Sequence, residues 1–360
     1  MIRAVAEPGD VVGVIGPRAR LLGHALYSSH SQITLRMLTR GESRPEAALW
    51  RDRLSAAWRF REGLEIQATA YRLVHAEGDL LPSIVVDRYG EYLVAQFLSQ
   101  GAERLQGLVC ESLVDLLHPV GILARNDARV RGLEGLEQRV DLLYGDVPQE
   151  ILVREGDLEY GVRPWTGQKT GAFLDQRENR AAVRGYARGR ALDCFAYHGA
   201  FALQLARATD RVIAIESSPE AAEILQSNAA RNGVVIDVRV ANVFDVLRAF
   251  DRAGERFDTI VLDPPAFAKN RASVPKAEAG YKEINLRALR LLAPGGVLLT
   301  CTCSHHVGDA RFEEILIDAA RDARVSVTLV EKRMQSRDHP VLLTVPETRY
   351  LTCLILRRLA

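Results

Sequence analysis

The chain has 360 residues, of which 48% are hydrophobic and 26% charged, and a formal net charge of +1, a composition typical of globular proteins with two or three domains. It contains no apolar run of the roughly 18 residues that a membrane-spanning helix needs and no signal-peptide core, so we expect a cytoplasmic protein without a membrane partner. The five cysteines are few and irregularly spaced, which disfavours a disulfide framework, and the near-zero charge neither requires nor excludes a nucleic acid partner.

The first forty residues have the pattern of a small β-barrel. Three short apolar segments, VVGVIG, LLGHALY and ITLRML, are separated by glycines and by the polar run SSHSQ. Residues 1–61 also carry ten arginines against five acidic residues. The planar guanidinium suits phosphate contact, so this region is a candidate for RNA binding; the alternative is a solvated surface in an arginine-rich protein.

A helix and several strands are predicted next. Residues 45–66 have helical spacing, with Trp50, Leu54 and Trp58 recurring every fourth residue, and we expect these side chains to lie in a core rather than to stack on bases. Strand-like segments between residues 71 and 98, a helix near 102–117 and two further strands follow. The pattern predicts an α+β middle domain over 44–160, after a barrel-like domain at 1–43 and before a third domain at 161–360.

From about residue 166, helical and strand-like segments alternate to the end of the chain. Such alternation predicts the α/β class, with a doubly wound, Rossmann-like sheet. In these sheets ligands bind beyond the carboxyl ends of the strands, so the residues that follow each strand are the candidates for a binding site.

The first two strands of this sheet end in residues suited to a cofactor. Asp193 ends the first strand, and Gly199 begins the next helix after a turn that contains Tyr197. The second strand ends in Glu216, where a carboxylate can accept hydrogen bonds from both ribose hydroxyls. The absence of a G-x-G-x-x-G motif disfavours a dinucleotide.

The next two strands extend the same site. Asn242 follows the third strand and suits an adenine edge, and the fourth ends in Asp263 before Pro264 and Pro265, which make a stiff turn. The four strand ends together describe a nucleoside site without a phosphate clamp, which is what S-adenosylmethionine requires. The alternative is an α/β core in which these polar residues only cap helices.

Five segments resemble the bacterial large-subunit (23S) ribosomal RNA methyltransferase family that makes 5-methylcytidine: GQKTGAFLDQRENR, LDCFAYHGAFAL, VLDPPAFAK, YKEINLRALRLLAPGGVLLTCTCSHH and DHPVLLTVPETRYL. The resemblance implies an RNA-binding PUA-like domain, an α+β middle domain and a class I methyltransferase domain that uses S-adenosylmethionine, with 23S ribosomal RNA as partner. The chain begins near the middle of the family's barrel, so we expect an incomplete PUA-like domain at 1–43.

The resemblance also implies roles ahead of the first sheet strand. Phe173, Gln176 and Arg177 are expected to border the cofactor or the target base. Either Arg177 or Lys169 would pair with the methionine carboxylate. The alternative is that Asp175 and Arg177 only cap and brace a helix.

The run LLTCTCSHH holds two cysteines one residue apart. A disulfide between Cys301 and Cys303 is disfavoured in a reducing compartment, and the spacing is not that of a zinc site, so no metal is expected. Core packing is expected for Cys301, and likewise for Cys110, Cys194 and Cys353.

Cys303 is the predicted nucleophile, because the family's T-C-S element places it there. Cytosine carbon 5 is a poor nucleophile, but a thiolate that adds to carbon 6 makes carbon 5 able to attack the sulfonium methyl. Asp263, expected two sheet positions away from Cys303, would hold the cytosine amino group or ring nitrogen 3. His305 or His306 is a candidate for lowering the pKa of the thiol.

The expected substrate contacts are Pro264, Pro265, Lys269 and Ser304. Two other functions stay open: methylation of a guanine nitrogen, which needs no thiol, and an RNA-binding assembly factor without turnover. The sequence also leaves a homodimer open.

Overall fold

The computed structural model of the chain describes residues 6–268, 271–304 and 306–360. The chain divides into two compact units, each of which takes in separate stretches of sequence. The first comprises Met1–Gly156, Gly161–Asp175 and Arg337–Thr348, and the second Asp157–Tyr160, Gln176–Ser336 and Arg349–Ala360. The first unit holds both the expected PUA-like region and the expected middle domain, and the boundaries at residues 44 and 161 stay predictions.

The first unit begins with a three-stranded antiparallel sheet in the order β1-β2-β3, formed by β1 (Val11–Ile15), β2 (Leu21–Tyr27) and β3 (Leu35–Arg40). Helix α1 (Ala47–Gly63) follows. Trp50 and Leu54 are buried on its inner face, and Trp58 packs against the same core. The prediction that these side chains lie in the core is therefore confirmed.

A five-stranded sheet in the order β4-β5-β6-β7-β8 completes the larger part of this unit. It consists of β4 (Ala70–His75), β5 (Ile84–Tyr89), β6 (Tyr92–Phe97), β7 (Gly121–Asn126) and β8 (Arg139–Gly145). Only β6 and β7 pair in parallel, because helices α2 (Gln100–Arg104) and α3 (Gln106–Leu117) carry the chain back between them. Helix α4 (Val130–Leu133) and strands β9 (Ile151–Glu155) and β10 (Leu158–Val162) follow in the chain.

The second unit contains a seven-stranded sheet in the order β13-β12-β11-β14-β15-β17-β16. Its strands are β11 (Arg190–Cys194), β12 (Arg211–Glu216), β13 (Ile236–Val240), β14 (Phe257–Leu262), β15 (Leu292–Thr302), β16 (Val327–Arg333) and β17 (Thr352–Arg358). The first five of these pair in parallel, and β17 runs antiparallel between β15 and β16. The predicted doubly wound α/β sheet is confirmed, with a mixed rather than purely parallel outer part.

Helices cover both faces of this sheet: α5 (Arg177–Arg184), α6 (Ala200–Ala206), α7 (Pro219–Arg231), α8 (Val243–Ala253), α9 (Val274–Leu291) and α10 (Asp309–Ala323). Along β11, Leu192 and Cys194 enter the core shared with α8, α9 and α10, whereas Ala191 enters the core shared with α5 and α6. The central strands therefore read as continuous apolar runs, because both of their faces are buried.

The strand order reverses at β11, which lies between β12 and β14. Ligands of doubly wound sheets bind at such a reversal, so the carboxyl ends of these three strands form the candidate site. Strand β15, which leads to Cys303, pairs directly with β14, which leads to Asp263. The expectation that these residues lie two sheet positions apart was wrong; their strands are neighbours. Among the described residues, no helix has both the length and the apolar character to cross a bilayer.

Candidate functional site

Three carboxylates meet at the ends of neighbouring strands. Asp193 lies in β11 and is 1% exposed, Glu216 ends β12, and Asp263 follows β14. Within the described part of the chain, Oδ2 of Asp193 has no hydrogen-bond partner. Burial, together with the negative charges of Asp263 and Glu216, raises the pKa of Asp193 well above its ordinary value.

This arrangement fits S-adenosylmethionine, which carries a positive sulfonium and a positive ammonium group. An unpartnered buried carboxylate oxygen is costly unless a ligand uses it, and clustered negative charge favours a cation. The three acids were predicted from the sequence, and the structure brings them to one edge of the sheet.

Glu216 is already engaged by the backbone of the neighbouring turns. Its Oε2 accepts a hydrogen bond from the Tyr197 amide at 2.8 Å, and its Oε1 accepts one from the Ser218 amide at 2.8 Å. The ring of Tyr197 stacks on His198 with a centroid separation of 3.6 Å. The carboxylate therefore fixes the β11–α6 turn, and its contact with the ribose stays a prediction.

Gly199 is required by its backbone and its packing. It precedes α6 with φ of +85°, a conformation that favours glycine, and a Cβ there would lie 2.5 Å from Cγ of Leu225 on α7. The turn can therefore reach the ligand side of the sheet only if residue 199 has no side chain.

Asn242 caps a helix in this structure. Its Oδ1 accepts a hydrogen bond from the Phe244 amide at 2.9 Å at the start of α8, which leaves its exposed amide group to face solvent or a base edge. The adenine contact stays a prediction.

Three aromatic rings that sequence reasoning missed lie at the same edge of the sheet. Phe267 lies 6.3 Å from Phe195 and 5.9 Å from Phe244 between ring centroids, and all three rings are partly buried. They offer an apolar wall to a flat base. The signal in the sequence is a phenylalanine a few residues after each of three strands, in DCF, NVF and PAF.

The side chain of Gln176 forms a hydrogen bond with Asp263. Its Nε2 donates to Oδ1 of Asp263 at 2.7 Å, and its Oε1 accepts from Nδ2 of Asn179 at 2.6 Å. Nε of Arg333 donates in turn to Oδ1 of Asn179 at 2.9 Å. This chain of hydrogen bonds orients Asp263. Asn179 lies in the segment GQKTGAFLDQRENR but was given no role there, and Arg333 lies in none of the quoted segments.

The residues ahead of β11 fall in different units. In the first unit, Nζ of Lys169 lies 2.6 Å from Oδ2 of Asp175 and 4.5 Å from the Phe173 ring centroid. In the second unit, Arg177 is buried at the start of α5, 3.6 Å from Oε1 of Glu178. Their contacts with the cofactor or the base stay predictions.

The five cysteines, all within the described residues, form no disulfide and differ in exposure. Cys194, Cys301 and Cys353 are fully buried, and burial raises the pKa of Cys194 and Cys301 well above the ordinary value. Cys110 is half-buried and packs against the core of the first unit. Core packing is therefore confirmed for these four.

Cys303 is partly exposed just beyond the carboxyl end of β15. Ser304, a predicted substrate contact, is buried, and its Oγ lies 2.9 Å from the Tyr281 hydroxyl. Pro264 is buried and Pro265 exposed in the turn after Asp263. His306 is exposed, whereas the predicted residues Lys269 and His305 lie outside the described residues. No metal-holding group of side chains occurs among the described residues.

Comparisons with known proteins agree with this architecture. Residues 137–356 match the family model of S-adenosylmethionine-dependent methyltransferases, and residues 1–40 match that of a PUA-like domain. A solved Streptococcus mutans protein described as a SAM-dependent methyltransferase aligns with a TM-score of 0.85 at 18% identity, covering 98% of this chain and 93% of that one. This likeness shows the fold.

Sequence relatives extend over nearly the whole chain. Ribosomal RNA large subunit methyltransferase I of Tolumonas auensis is 39% identical over 99% of this chain and 92% of its own length. The protein of the same name from Erwinia tasmaniensis is 38% identical over 96% of this chain and 90% of its own length. With its PUA-like region, its class I methyltransferase sheet and these relatives, the chain belongs to the ribosomal RNA large subunit methyltransferase I family of S-adenosylmethionine-dependent enzymes.

Proposed function

We propose that the chain transfers a methyl group from S-adenosylmethionine to carbon 5 of a cytosine in large-subunit (23S) ribosomal RNA, through a covalent adduct with Cys303. The observation that carries the proposal is the position of Cys303. It is the partly exposed cysteine of the second unit, and its strand is the direct neighbour of the strand that leads to Asp263. The names of the sequence relatives support ribosomal RNA as the substrate.

Cys303 begins the reaction. Its thiolate forms a bond from Sγ to carbon 6, and the electron pair of the 5,6 double bond moves toward carbon 5. Bound S-adenosylmethionine supplies the electrophilic methyl group that carbon 5 takes up. Loss of the carbon 5 proton then re-forms the double bond and expels the Cys303 thiolate. Sulfur suits both steps, because a thiolate is a strong nucleophile and a good leaving group.

Asp263 holds the cytosine during the addition. Its Oδ1 already accepts the hydrogen bond from Gln176, so the carboxylate keeps one orientation. In that orientation the carboxylate can accept a hydrogen bond from the exocyclic amino group or, in its protonated form, donate one to ring nitrogen 3. Its role is to align carbon 6 with the sulfur. This alignment increases the rate most when the Asp263 carboxyl group is already oriented before the base binds.

RNA docking is assigned to the first unit. Six exposed arginines among residues 6–61 of this unit form no ion pair with any described residue, and their guanidinium groups are available to phosphates: Arg18, Arg20, Arg40, Arg44, Arg51 and Arg59. The target base must leave its stack to reach the thiol. A ribosomal RNA substrate also assigns the reaction to the cytoplasm.

The test compares Cys301, which lies in β15, with Cys303, which follows that strand. Cys303→Ala is expected to abolish transfer of a tritiated methyl group from S-adenosylmethionine to 23S ribosomal RNA, whereas Cys301→Ala, at a buried position, is expected to retain most of the activity. RNA that contains 5-fluorocytidine should form a denaturation-resistant adduct with the wild-type protein and with Cys301→Ala only. Undiminished methylation by Cys303→Ala would exclude the covalent route.

Mapping the product separates the alternatives. Mass analysis of the methylated RNA should find 5-methylcytidine. A methylated guanosine formed without Cys303 would instead support a guanine methyltransferase. RNA and cofactor binding without transfer to naked or assembled large-subunit RNA would support a non-catalytic assembly factor.

A further inference from the structure

We infer that Tyr281 is a positioning residue, which holds the segment that carries Cys303 in register with the loop that carries Asp263; this inference rests on the proposed role of Cys303. Tyr281 lies on α9 and begins the segment YKEINLRALRLLAPGGVLLTCTCSHH, but no contact with cofactor or substrate is assigned to it above. Its side chain is completely buried and is in contact with both segments.

The first observation is a hydrogen-bond network on either side of Cys303. Oγ1 of Thr302 donates to the Tyr281 hydroxyl at 3.0 Å, and Oγ of Ser304 lies 2.9 Å from the same hydroxyl. The Ser304 amide donates to Oγ1 of Thr302 at 3.2 Å. The two neighbours of the nucleophile are therefore tied to one phenol, and all three of these side chains are buried.

Thr302 donates to the phenol oxygen of Tyr281, and either hydroxyl can be the donor in the contact between Tyr281 and Ser304. Burial raises the pKa of Tyr281, and a negative charge on Cys303 raises it further, so the phenol keeps the proton that the network needs.

The second observation is the contact with the loop after Asp263. The Tyr281 ring packs against Phe267 with a centroid separation of 4.7 Å, and against Phe312 of α10 at 5.6 Å. The Ala268 amide lies 3.5 Å from Oγ of Ser304. One residue thus joins the segment that forms the bond to carbon 6 and the loop that holds the base.

The chemistry explains why such a link matters. Addition of sulfur to carbon 6 requires the attacking atom to approach the ring face along one direction, and an error of about 1 Å can cost on the order of 100-fold in rate. The pairing of β15 with β17 ends at Thr302, the residue before Cys303. The Thr302–Tyr281–Ser304 network holds the segment on both sides of the nucleophile beyond that point.

The experiment removes single hydroxyl groups. Tyr281→Phe keeps the ring contacts and deletes the phenol, and we expect single-turnover methyl transfer and adduct formation with 5-fluorocytidine RNA to slow about 10- to 100-fold, with little change in the KM for S-adenosylmethionine. Thr302→Val should show a similar loss, and Thr302→Ser should restore much of the rate. The double variant Tyr281→Phe/Thr302→Val should be no slower than the worse single variant, because both remove one network.

The matched control is Tyr186→Phe, which deletes a phenol that donates to Glu331 at 3.1 Å elsewhere in the second unit. It should keep the wild-type rate. The pH profile of iodoacetamide alkylation of Cys303 should shift in Tyr281→Phe and not in Tyr186→Phe, a change that general loosening of the fold would not produce.

The outcomes keep the two hypotheses apart. If the wild-type protein forms the adduct and the Tyr281→Phe variant forms it at the same rate, the positioning role of Tyr281 alone is overturned. Methylation by Cys303→Ala would overturn the proposed function and this inference with it. Equal losses in the Tyr281 and Tyr186 variants would also overturn the inference.

Discussion

Asp193 suits a cationic ligand but lowers the stability of the free protein. A carboxylate that is 1% exposed and lies near two other acids is unfavourable in its charged form, as its raised pKa indicates. Its one compensating interaction of note is a hydrogen bond from the Ala202 backbone. Such a residue is expected where a cationic ligand completes the site.

Asp193→Asn should therefore stabilise the free protein and weaken binding of the cofactor. Below the unfolded-state pKa of about 3.9, Asp193 is protonated in both states and costs nothing; as the pH rises toward its higher folded-state pKa, stability is lost. We expect the free energy of unfolding of the variant to exceed that of the wild type by about 1–3 kcal/mol at pH 7.5 and to converge with it near pH 4.

Urea unfolding across this pH range checks the stability, and calorimetric titration should show at least a tenfold weaker affinity for S-adenosylmethionine. Asp210→Asn is the control, since Asp210 is exposed and forms no ion pair with any described residue. Stability curves of Asp193→Asn and wild type that run parallel with pH would contradict the argument.

The sequence sufficed to locate single residues at strand ends, and it could not supply their contacts. Asp193, Glu216 and Asp263 were predicted because polar residues after apolar strands are easily recognised, and Cys303 was predicted from its resemblance to the family's T-C-S element. That Gln176 bonds to Asp263 was not predictable, since 87 residues separate them and no local pattern encodes the pairing.

At the scale of elements, the alternating pattern predicted the succession of helices and strands in the second unit but not which strands would pair. The segment RYLTCLILR reads as a strand, and its apolar run is the same for either direction of pairing. Its antiparallel insertion as β17 between β15 and β16 depends on long-range packing. The aromatic rings near the strand ends were missed for a similar reason, because a phenylalanine in a core and one at a binding site look alike in sequence.

The turn between β11 and α6 should be the element most sensitive to a single methyl group. Gly199→Ala adds the strain of a positive φ and a Cβ 2.5 Å from Leu225, so we expect a loss of about 2–5 kcal/mol in the free energy of unfolding, with weaker cofactor binding.

Gly233→Ala is the matched control, because Gly233 has φ of +63° and a Cβ there would meet nothing within 4 Å. It should lose only about 1–2 kcal/mol, the cost of the backbone conformation. Chemical denaturation measures both variants, and equal losses would mean that the contact with Leu225 is unimportant.

For the whole molecule, net charge conceals an uneven distribution. The chain carries a formal charge of +1, yet the described part of residues 6–61 exposes arginines without carboxylate partners. Attraction to RNA is therefore expected from local rather than total charge.

Replacing Arg18, Arg20 and Arg44 by glutamine should reduce the dependence of RNA affinity on salt. Each lost phosphate contact lowers the slope of log affinity against log salt concentration by about 0.7–0.9, so the triple variant should lose about 2 to 3 from the slope. Filter binding to 23S ribosomal RNA fragments at several salt concentrations measures this.

The control replaces Arg252, Arg324 and Arg357, which are exposed on the second unit and form no ion pair with any described residue. It changes the net charge by the same amount and should change the slope less. If both triple variants lose equally, the first unit has no special part in RNA docking.

The interleaved chain path has a consequence for synthesis on the ribosome. In the first unit, the early residues Arg61 and Arg72 hydrogen-bond to Asp338 at 2.7 and 2.8 Å, and in the second the sheet is joined between β15 and β16 only by β17. Neither unit can complete its core before the ribosome has synthesised these late segments. The nascent chain therefore exposes unpaired strand edges until synthesis is nearly complete. We expect it to depend on chaperones more than proteins whose domains fold one after another.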